Sequence, residues 1–470
     1  MRRLIVFTAA ISFGVPLIGQ TLAERIIQTD TLFIAPASDV LANVALAPMR
    51  SSVSMSHAAV GFERASMSEP LWYPLGRGSA SGSFDAAAYI KTSRATICGH
   101  AEYRNGRRYG VNYCMVSDPE LLFPYFTAVD ASGDFKNETY TFGGSYSSDF
   151  NDGQWIYGVS LDYRALQEYR NADPRPKNTV GQLSFAGGFG GRFGSYYIAL
   201  GLDAFKYRQS NNIMFVSEQG ELPVYHLSGM TSHYVRFAGT GKSAYYSGWR
   251  RGVSLDLYPV SQGAYASGAI HRFTFTKTLK DLNNLPVNDL TNDSYALSAG
   301  WLASVWSAST FIRFERRIGT ENIFGDPSGN VYPELFSLST YGWRRTSGGV
   351  AGAWHHISKT LRVDAYASAA YLFTEEVYKG SLPRLRAVSK EWMLNAEAQI
   401  IKVIDGKIST EASIKASALT SCRYSAGARI GADYMISGDK SLGLSLGCDY
   451  RTVRGHNQGY AFISALTFKF

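Results

Sequence analysis

Charges of opposite sign, two or four residues apart, are the residues of this chain best placed to act on a solute. They lie in segments where polar and apolar residues alternate, so both members of a pair face the same side of a strand. The ten residues are Arg313, Glu315, Arg362, Asp364, Glu411, Lys415, Arg429, Asp433, Asp449 and Arg451. They fit either a polar pathway that selects solutes or a structural network that fills an interior. The mixed signs favour neither anions nor cations, so both interpretations stay open.

Two histidines carry an enzymatic alternative. His226 and His233 each lie close to a serine, as in the Ser/His pairs of hydrolases, but neither has a third orienting residue at a recognisable spacing. His355 and His356 point to opposite faces of a strand and cannot easily share a metal ion. We therefore predict no catalytic residue, no metal site, no cofactor and no enzymatic activity, and keep an outer-membrane hydrolase as an alternative.

The cysteines offer one candidate disulfide. Cys98 and Cys114 are equidistant from Gly106, and a three-residue loop at 105–107 would place them opposite each other. Cys422 and Cys448 both fall on the apolar side of their segments, which predicts free thiols that face lipid.

The elements that carry these residues are strands. After residue 77 the alternation recurs many times, in segments of ~10–15 residues that are long enough to cross a bilayer when tilted. Short turns, such as 405–407, alternate with long loops, such as 117–137, 210–245 and 319–341. The pattern predicts an all-β fold: a transmembrane antiparallel up-and-down β-barrel of about 18 strands, with a range of 16–20, short periplasmic turns and long extracellular loops. Fifteen of these strands are placed between 138 and 470.

The start of the chain predicts export. Residues 1–23 combine a basic beginning with an apolar run and read as a signal peptide, cleaved after Gly19 or Ala23. Segment 24–77 then precedes a barrel over 78–470. No later segment reaches the ~18–20 apolar residues of a spanning helix.

Segment 24–77 allows two arrangements of the first strands. In one, strands run over 51–66, 78–91 and 95–116. In the other, strands run over 78–91, 95–104 and 109–117, and residues 36–47 form a short helix in a separate segment. That segment would be either a plug in the lumen or a flexible periplasmic tail.

Two stretches resemble known families. The last strand, "YAFISALTFKF", looks like the β-signal read by the outer-membrane assembly machinery; its alternate residues are Tyr460, Phe462, Leu466, Phe468 and Phe470. The stretches "SDPELLFPYFTAVDASGD" and "EYRNADPRPKN" resemble a Bacteroidota family of outer-membrane barrels of unknown function. The resemblance implies the barrel and its location, and suggests a role beside TonB-dependent transporters.

These features predict a protein of the cell outer membrane, either porin-like or accessory to the uptake of small solutes. The alternative is a closed barrel that binds a partner through its extracellular loops. Expected partners are outer-membrane lipid and lipopolysaccharide, the assembly machinery and a TonB-dependent transporter. Nucleic acid is not expected, because the net charge of +8 is not gathered into a basic cluster with interleaved aromatics.

Overall fold

The computed structural model describes residues 20–29, 32–217, 220–239, 241–329, 331–421, 423–453 and 457–470. The apolar run of the predicted signal peptide and Cys422 lie outside these residues. Within them, eighteen antiparallel strands form one closed barrel, and three short strands form a small separate sheet. No helix in the described part of the chain is long and apolar enough to span a membrane.

The strands follow one another around the barrel in chain order, and each bonds to its neighbours. They are β1 Met55–Met67, β2 Gly78–Lys91, β3 Ala95–Val111, β4 Thr127–Ala128, β5 Gly133–Phe150, β6 Trp155–Tyr169, β7 Arg175–Phe193, β8 Tyr196–Met214, β9 Tyr225–Gly229, β10 Ser232–His233, β11 Ser243–Pro259, β12 Gly263–Leu279, β13 Leu285–Leu302, β14 Trp306–Phe324, β15 Glu334–Ile357, β16 Leu361–Tyr378, β17 Leu385–Ile404, β18 Ile408–Leu419, β19 Arg423–Ser437, β20 Lys440–Val453 and β21 Asn457–Lys469. Of these strands, β4, β9 and β10 form the small sheet, and the other eighteen form the barrel. Strand β1 pairs with β21, for example Val60 with Leu466, and this pairing closes the barrel.

Alternation along each strand separates two faces. In β20, Leu442, Leu444 and Leu446 are exposed on the outside, while Ser441 and Asp449 point inward and are buried. Exposed leucine, isoleucine, phenylalanine and tryptophan side chains of other strands share this outer face, which is the arrangement of a barrel whose outside meets lipid. The predicted fold class and strand number are confirmed.

The two ends of the barrel differ. Short turns such as 151–154 and 405–407 lie at the end that also holds Met55 and Phe470, which we call the lower end. Most of the connections at the opposite, upper end are longer, and the longest run over 112–132 and 215–242. The predicted alternation of short turns and long loops is confirmed.

The described residues before β1 lie inside the lower end, and we call residues 20–29 and 32–54 the plug. It contains α1 Leu22–Gln28, the 3-10 helix Ala35–Ala37, α2 Ser38–Leu41 and the 3-10 helix Val44–Met49. A capping box starts α1, because the Thr21 backbone N–H donates to Glu24 Oε2 (2.8 Å) and the Glu24 N–H donates to Thr21 Oγ1 (3.3 Å).

The plug is held by apolar packing against the wall. Val40, Leu41 and Leu46 pack with Tyr197 and Tyr258 of β8 and β11. Separately, Leu22, Ile26 and Ile27 pack with Ile401 and Val403 of β17. The described parts of the plug are therefore part of the packed core rather than a solvated tail.

Two upper loops also fold into the barrel, and we call residues 112–131 and 220–239 together the cap. The first loop contains α3 Pro119–Leu122 and β4, and β4 pairs with β9 of the second loop through Thr127 and His226. Leu122, Tyr125 and Phe126 of the cap are almost fully buried against wall residues from β3 round to β15.

The structure combines the two arrangements for segment 24–77, with a first strand as in one and a short helical plug as in the other. Residues up to 54 form the plug, and β1 then begins the barrel at Met55 rather than at residue 78. Strand β3 runs through 105–107 without a turn, because β2 and β5 bond to it on both sides there.

The prediction of a Cys98–Cys114 disulfide is therefore wrong. Both cysteines are free thiols; Cys98 lies near the lower end of β3 and Cys114 lies beyond its upper end. Sixteen residues of nearly extended chain separate them by ~40 Å or more, far beyond the reach of a disulfide. Cys448 is exposed on the outer face, as expected for a thiol that faces lipid.

Candidate functional site

The lumen is divided lengthwise into two regions. We call the wall of β5–β8 and β11–β14 the filled half, because the cap and the plug both pack against it. We call the wall of β18–β21 with β1 the open half; the plug contacts it at its lower end, through α1. The two regions differ in what their inward side chains contact.

In the filled half, inward polar side chains hold the cap. The carboxylate of Asp118 accepts hydrogen bonds from Arg164 (2.5 Å) and from the Tyr207 hydroxyl (2.8 Å). The carbonyl of Met115 accepts hydrogen bonds from the amides of Asn178 (3.0 Å) and Asn211 (2.6 Å). Asn178, Asn211 and Tyr207 are 0% exposed, so the cap seals this part of the lumen from water.

The cap also contains a buried thiol and a buried histidine. Burial raises the pKa of Cys114 to about 12, so this thiol stays protonated and unreactive. His226 is 1% exposed within β9, and the ring of His233 packs edge-to-face against Tyr225. The structure does not assemble a Ser/His/acid triad around either ring from the residues that it describes.

The plug is held in the same half by polar contacts at the lower end. Asn43 Nδ2 donates to Asp256 Oδ2 (2.9 Å), and the Ser147 hydroxyl donates to the Val44 carbonyl (2.7 Å). Asp256 also accepts hydrogen bonds from Ser254 (2.7 Å) and Ser267 (2.6 Å). Burial of Asp256 is thus compensated by three donors.

Three glycines of the wall make room for this part of the plug. A side chain at Gly158 would meet the Val44 carbonyl oxygen at 2.5 Å, and side chains at Gly188 and Gly201 would crowd Asn43. These glycines lie on the neighbouring strands β6, β7 and β8, so the wall is shaped to the plug.

Two separate cavities lie between cap and plug at the waist of the filled half, and together we call them the chamber. The upper cavity has a volume of about 550 Å³ and is lined by Asp118 and Glu120 of the cap and by Arg250 of the wall. The lower cavity has a volume of about 200 Å³ and is lined by Asp39 and Asn43 of the plug. The volume of the upper cavity suits a small ligand.

One carboxylate lies at the border between the two cavities, because Asp203 lines the lower one and contacts Arg250 of the upper one. Asp203 of β8 lies 3.3 Å from Arg250 Nε and 3.0 Å from His271 Nε2. Both signs of charge are therefore present at the waist, together with the serine and glutamine side chains of the wall. Such a surface can bind a polar solute through hydrogen bonds of either direction.

The open half presents its charges to the lumen instead. Lys415 has a side chain that is 54% exposed and lies 3.1 Å from Asp449, and Arg429 and Arg451 are exposed. A cavity of about 330 Å³ lies against this wall and is lined by Glu397, Lys415 and Arg451, among others. The hydrogen bonds of Glu411 and Ser417 run to neighbouring strands rather than to the cap or the plug.

Helix α1 lies across the lower mouth of the open half. The Leu22 backbone N–H donates to the Gly438 carbonyl in the turn between β19 and β20 (2.7 Å), and Arg25 donates to the Ser54 carbonyl (3.2 Å). Burial lowers the pKa of Arg25, and nearby Asp439 partly offsets this effect. These contacts hold α1 at the lower end of the open half, beneath the exposed charges.

All ten predicted lumen residues face inward, but they pair differently from the same-strand pairs in which they were found. Arg362 and Asp364 do pair, at 2.7 Å and with both side chains 0% exposed, beneath the end of α1. The other charged contacts cross strands or reach the plug: Lys415 to Asp449, Glu411 to Gln399, Asp433 to Lys469 and Arg313 to Asp39. Sequence spacing shows which side of a strand a residue faces, but it does not show which strand lies next to it.

Sequence reasoning missed the chamber residues Asp118, Asp203, Arg250 and His271. Asp118 lies in a stretch that the sequence marks only as a loop, and Asp203, Arg250 and His271 come from three different strands. The period-2 pattern places the last three on inward faces, and this signal could have found them. Among the described residues, no group of three histidine, cysteine or acidic side chains could hold a metal ion.

A family model matches residues 44–468, which is most of the chain and extends from before the first barrel strand into the last one. The chain belongs to the family of unknown function DUF6850. No curated protein matches the DUF6850 chain.

Solved structures that resemble the DUF6850 chain are large barrels of low sequence identity. BauA, the ferric preacinetobactin receptor of Acinetobacter baumannii, is 9% identical, with a TM-score of 0.40 over 88% of this chain and 80% of that chain. The ferric citrate transporter FecA is 8% identical, with a TM-score of 0.40 over 88% and 78%. CymD, a monoaromatic hydrocarbon channel, is 10% identical, with a TM-score of 0.34 over 97% and 98%. At these values no ligand or activity passes from those proteins to this chain.

Proposed function

We propose that this protein is an outer-membrane barrel that admits small polar solutes along its open half, and that α1 closes the lower mouth at rest. The observation that carries the proposal is the row of exposed inward charges, Lys415, Arg429 and Arg451, above a mouth blocked by one short helix. The chamber at the waist is the place where a solute would be held.

The outer face supports the proposed membrane location. Leu444, Phe462 and Ile430 are 55%, 57% and 62% exposed, and similar side chains surround the barrel. A continuous apolar band of this size would aggregate in water and is stable in hydrocarbon. The predicted β-signal residues lie in one outward row, which is consistent with recognition by the assembly machinery. They are Tyr460, Phe462, Leu466, Phe468 and Phe470.

The non-enzymatic prediction is kept within this proposal. His226 is buried in the cap, so a substrate could not reach it without displacement of the cap. Lipase and protease assays of the purified protein, before and after His226→Ala, test this point; activity that the substitution abolishes would favour the hydrolase alternative.

The test is conductance in a planar bilayer. Ile26→Glu places a charge in the packing between α1 and β17 and should displace the helix, so that a small resting conductance rises several-fold. Gln28→Glu adds the same charge on the exposed side of α1 and should leave the conductance unchanged. Equal conductance in the wild-type protein and in Ile26→Glu would contradict gating by α1.

A closed barrel would give a different result. Deletion of the whole plug, residues 20–54, removes the lower obstruction and leaves the cap. If no steady current appears even then, the cap seals the lumen and the protein acts as a binding partner through its upper loops. Partnership with a TonB-dependent transporter and an origin in Bacteroidota stay predictions of the sequence.

A further inference from the structure

A row of charges crosses the outer face of six neighbouring strands. Cross-strand pairing places the following residues side by side, from β11 to β16: Arg251, Arg272, Asp293, Arg316, Arg344 and Glu375. The four arginines of this set are called the arginine row below. They are spread over 251–344 in the sequence and come together only through the strand register.

The arginine row points away from the lumen and borders the apolar band. Arg251 shares its face with Val253 and Leu255, which are 47% and 59% exposed and lie nearer the lower end. Arg316 shares its face with Ile312, which is 53% exposed. Side chains of the row therefore lie where an apolar surface gives way to the upper rim.

The two acids do not neutralise the whole row. Arg272 pairs with Asp293 at 2.6 Å, and Arg344 pairs with Glu375 at 2.5 Å, while Glu375 also accepts a bond from Arg386. No carboxylate among the described residues forms an ion pair with Arg251 or Arg316.

Like charges also stand directly opposite each other in the row. Arg251 is the register partner of Arg272, and Arg316 is the register partner of Arg344. Such pairs destabilise a sheet unless an anion lies between them. Lys206 and Arg208 of β8 extend the same positive surface to one side, so the barrel itself does not supply that anion.

We infer that the arginine row binds the phosphate groups of an anionic, phosphorylated lipid in the upper leaflet. Guanidinium groups bind phosphate through paired N–H donors, and several guanidinium groups on one surface can bind more than one phosphate group. A lipid fits better than free phosphate, because its acyl chains can lie along Val253 and Ile312 just below. The inference rests on the membrane location proposed above but not on solute passage.

The test uses the full chain purified in detergent and native mass spectrometry of bound lipid. The probe is a diphosphorylated, acylated glucosamine disaccharide, and phosphatidylcholine serves as the zwitterionic comparison. The double variant Arg251→Gln with Arg316→Gln should bind the anionic probe roughly 30-fold more weakly, since each basic residue near a membrane surface contributes about a factor of five. Arg251→Lys with Arg316→Lys keeps the charge and should retain most of the binding.

Lys402→Gln is the matched control, because Lys402 also faces outward but lies on β17 near the lower end. An equal loss in this control, or no loss in the double glutamine variant, would overturn the inference. So would equal binding of phosphatidylcholine, or displacement of the lipid by an equal concentration of inorganic phosphate. Conductance of the wild-type protein is measured separately, so failure of the pore proposal would not be mistaken for failure of lipid binding.

Discussion

The filled and the open halves of the lumen are built from the same kind of strand but satisfy their polar groups differently. In the filled half, Asn178 and Asn211 are fully buried and bond to the cap. In the open half, Lys415 and Arg429 face the lumen, and Lys415 bonds only to its own wall. The difference shows that an inward polar residue can either be buried against an inserted segment or stay exposed to the lumen, according to what lies opposite.

The comparison predicts that loss of a partner destabilises the protein by different amounts in the two halves. A buried anchor that loses its partner leaves a desolvated polar group behind, whereas an exposed charge that loses its partner is rescued by water. The structural interpretation fits the buried pair Arg362 and Asp364, and the pathway interpretation of the exposed charges in the open half stays a prediction. Four experiments test whether the two halves of the lumen differ in this way.

Thiol labelling should show the largest contrast. With its pKa raised to about 12, Cys114 should react with iodoacetamide at pH 8 about a thousandfold more slowly than a cysteine introduced by Ser417→Cys in the open half. Peptide mass spectrometry over time measures both rates in one sample. Comparable rates would mean that the cap does not seal the filled half.

Matched carboxylate substitutions should lower the free energy of unfolding by different amounts in the two halves. Asp118→Asn removes the charge that holds Arg164 and Tyr207, and we expect a loss of about 2 kcal/mol in the free energy of unfolding. Asp449→Asn breaks the contact to exposed Lys415 and should cost less than about 1 kcal/mol. Urea unfolding in detergent measures both; a reversed order would contradict the division.

Ion selectivity should respond only to the open half. In the Ile26→Glu background, Arg429→Glu should shift the reversal potential in a salt gradient towards cation selectivity, because Arg429 is exposed to the lumen. Lys402→Glu makes the same charge change on the outer face and should leave the potential unchanged. If both variants shift it equally, the current does not pass along β19.

The smallest effect concerns the upper rim of the filled half. The backbone N–H groups of Val216 and Ser217 and the Arg175 side chain lower the pKa of Asp173. This contact adds stability above the ordinary carboxyl pKa and loses it as the pH falls through the lowered value. Limited proteolysis near 216 should therefore speed up below about pH 4, and Asp173→Asn should remove that dependence.

The sequence predicts the barrel well because strand alternation is a local signal. The faces of β20 and the turn at 405–407 can be read from a few neighbouring residues. The failed disulfide shows the limit: "RNGRR" resembles a hairpin turn, yet β2 and β5 lie on both sides of it and keep the strand straight. Whether these residues form a turn or a continuous strand depends on the neighbouring strands of the sheet.

The site was harder to predict because its contacts are distant in sequence. Arg313 pairs with Asp39 across 274 positions, and Asn43 reaches Asp256 across 213. Neither spacing carries a period, so alternation could place Arg313 inside the barrel but could not identify its partner. The cap is similar, since Asp118 meets Arg164 only after its loop folds inward.

The three glycines that face Asn43 and Val44 have a consequence for other members of the family. One methyl group at Gly158, Gly188 or Gly201 would push the inserted segment away while leaving strand pairing and every lumen charge as they are. Relatives that carry alanine or larger residues at these three positions should share the barrel yet keep an empty lower end. A comparison of these positions would therefore sort the family into two classes before any of its substrates is identified.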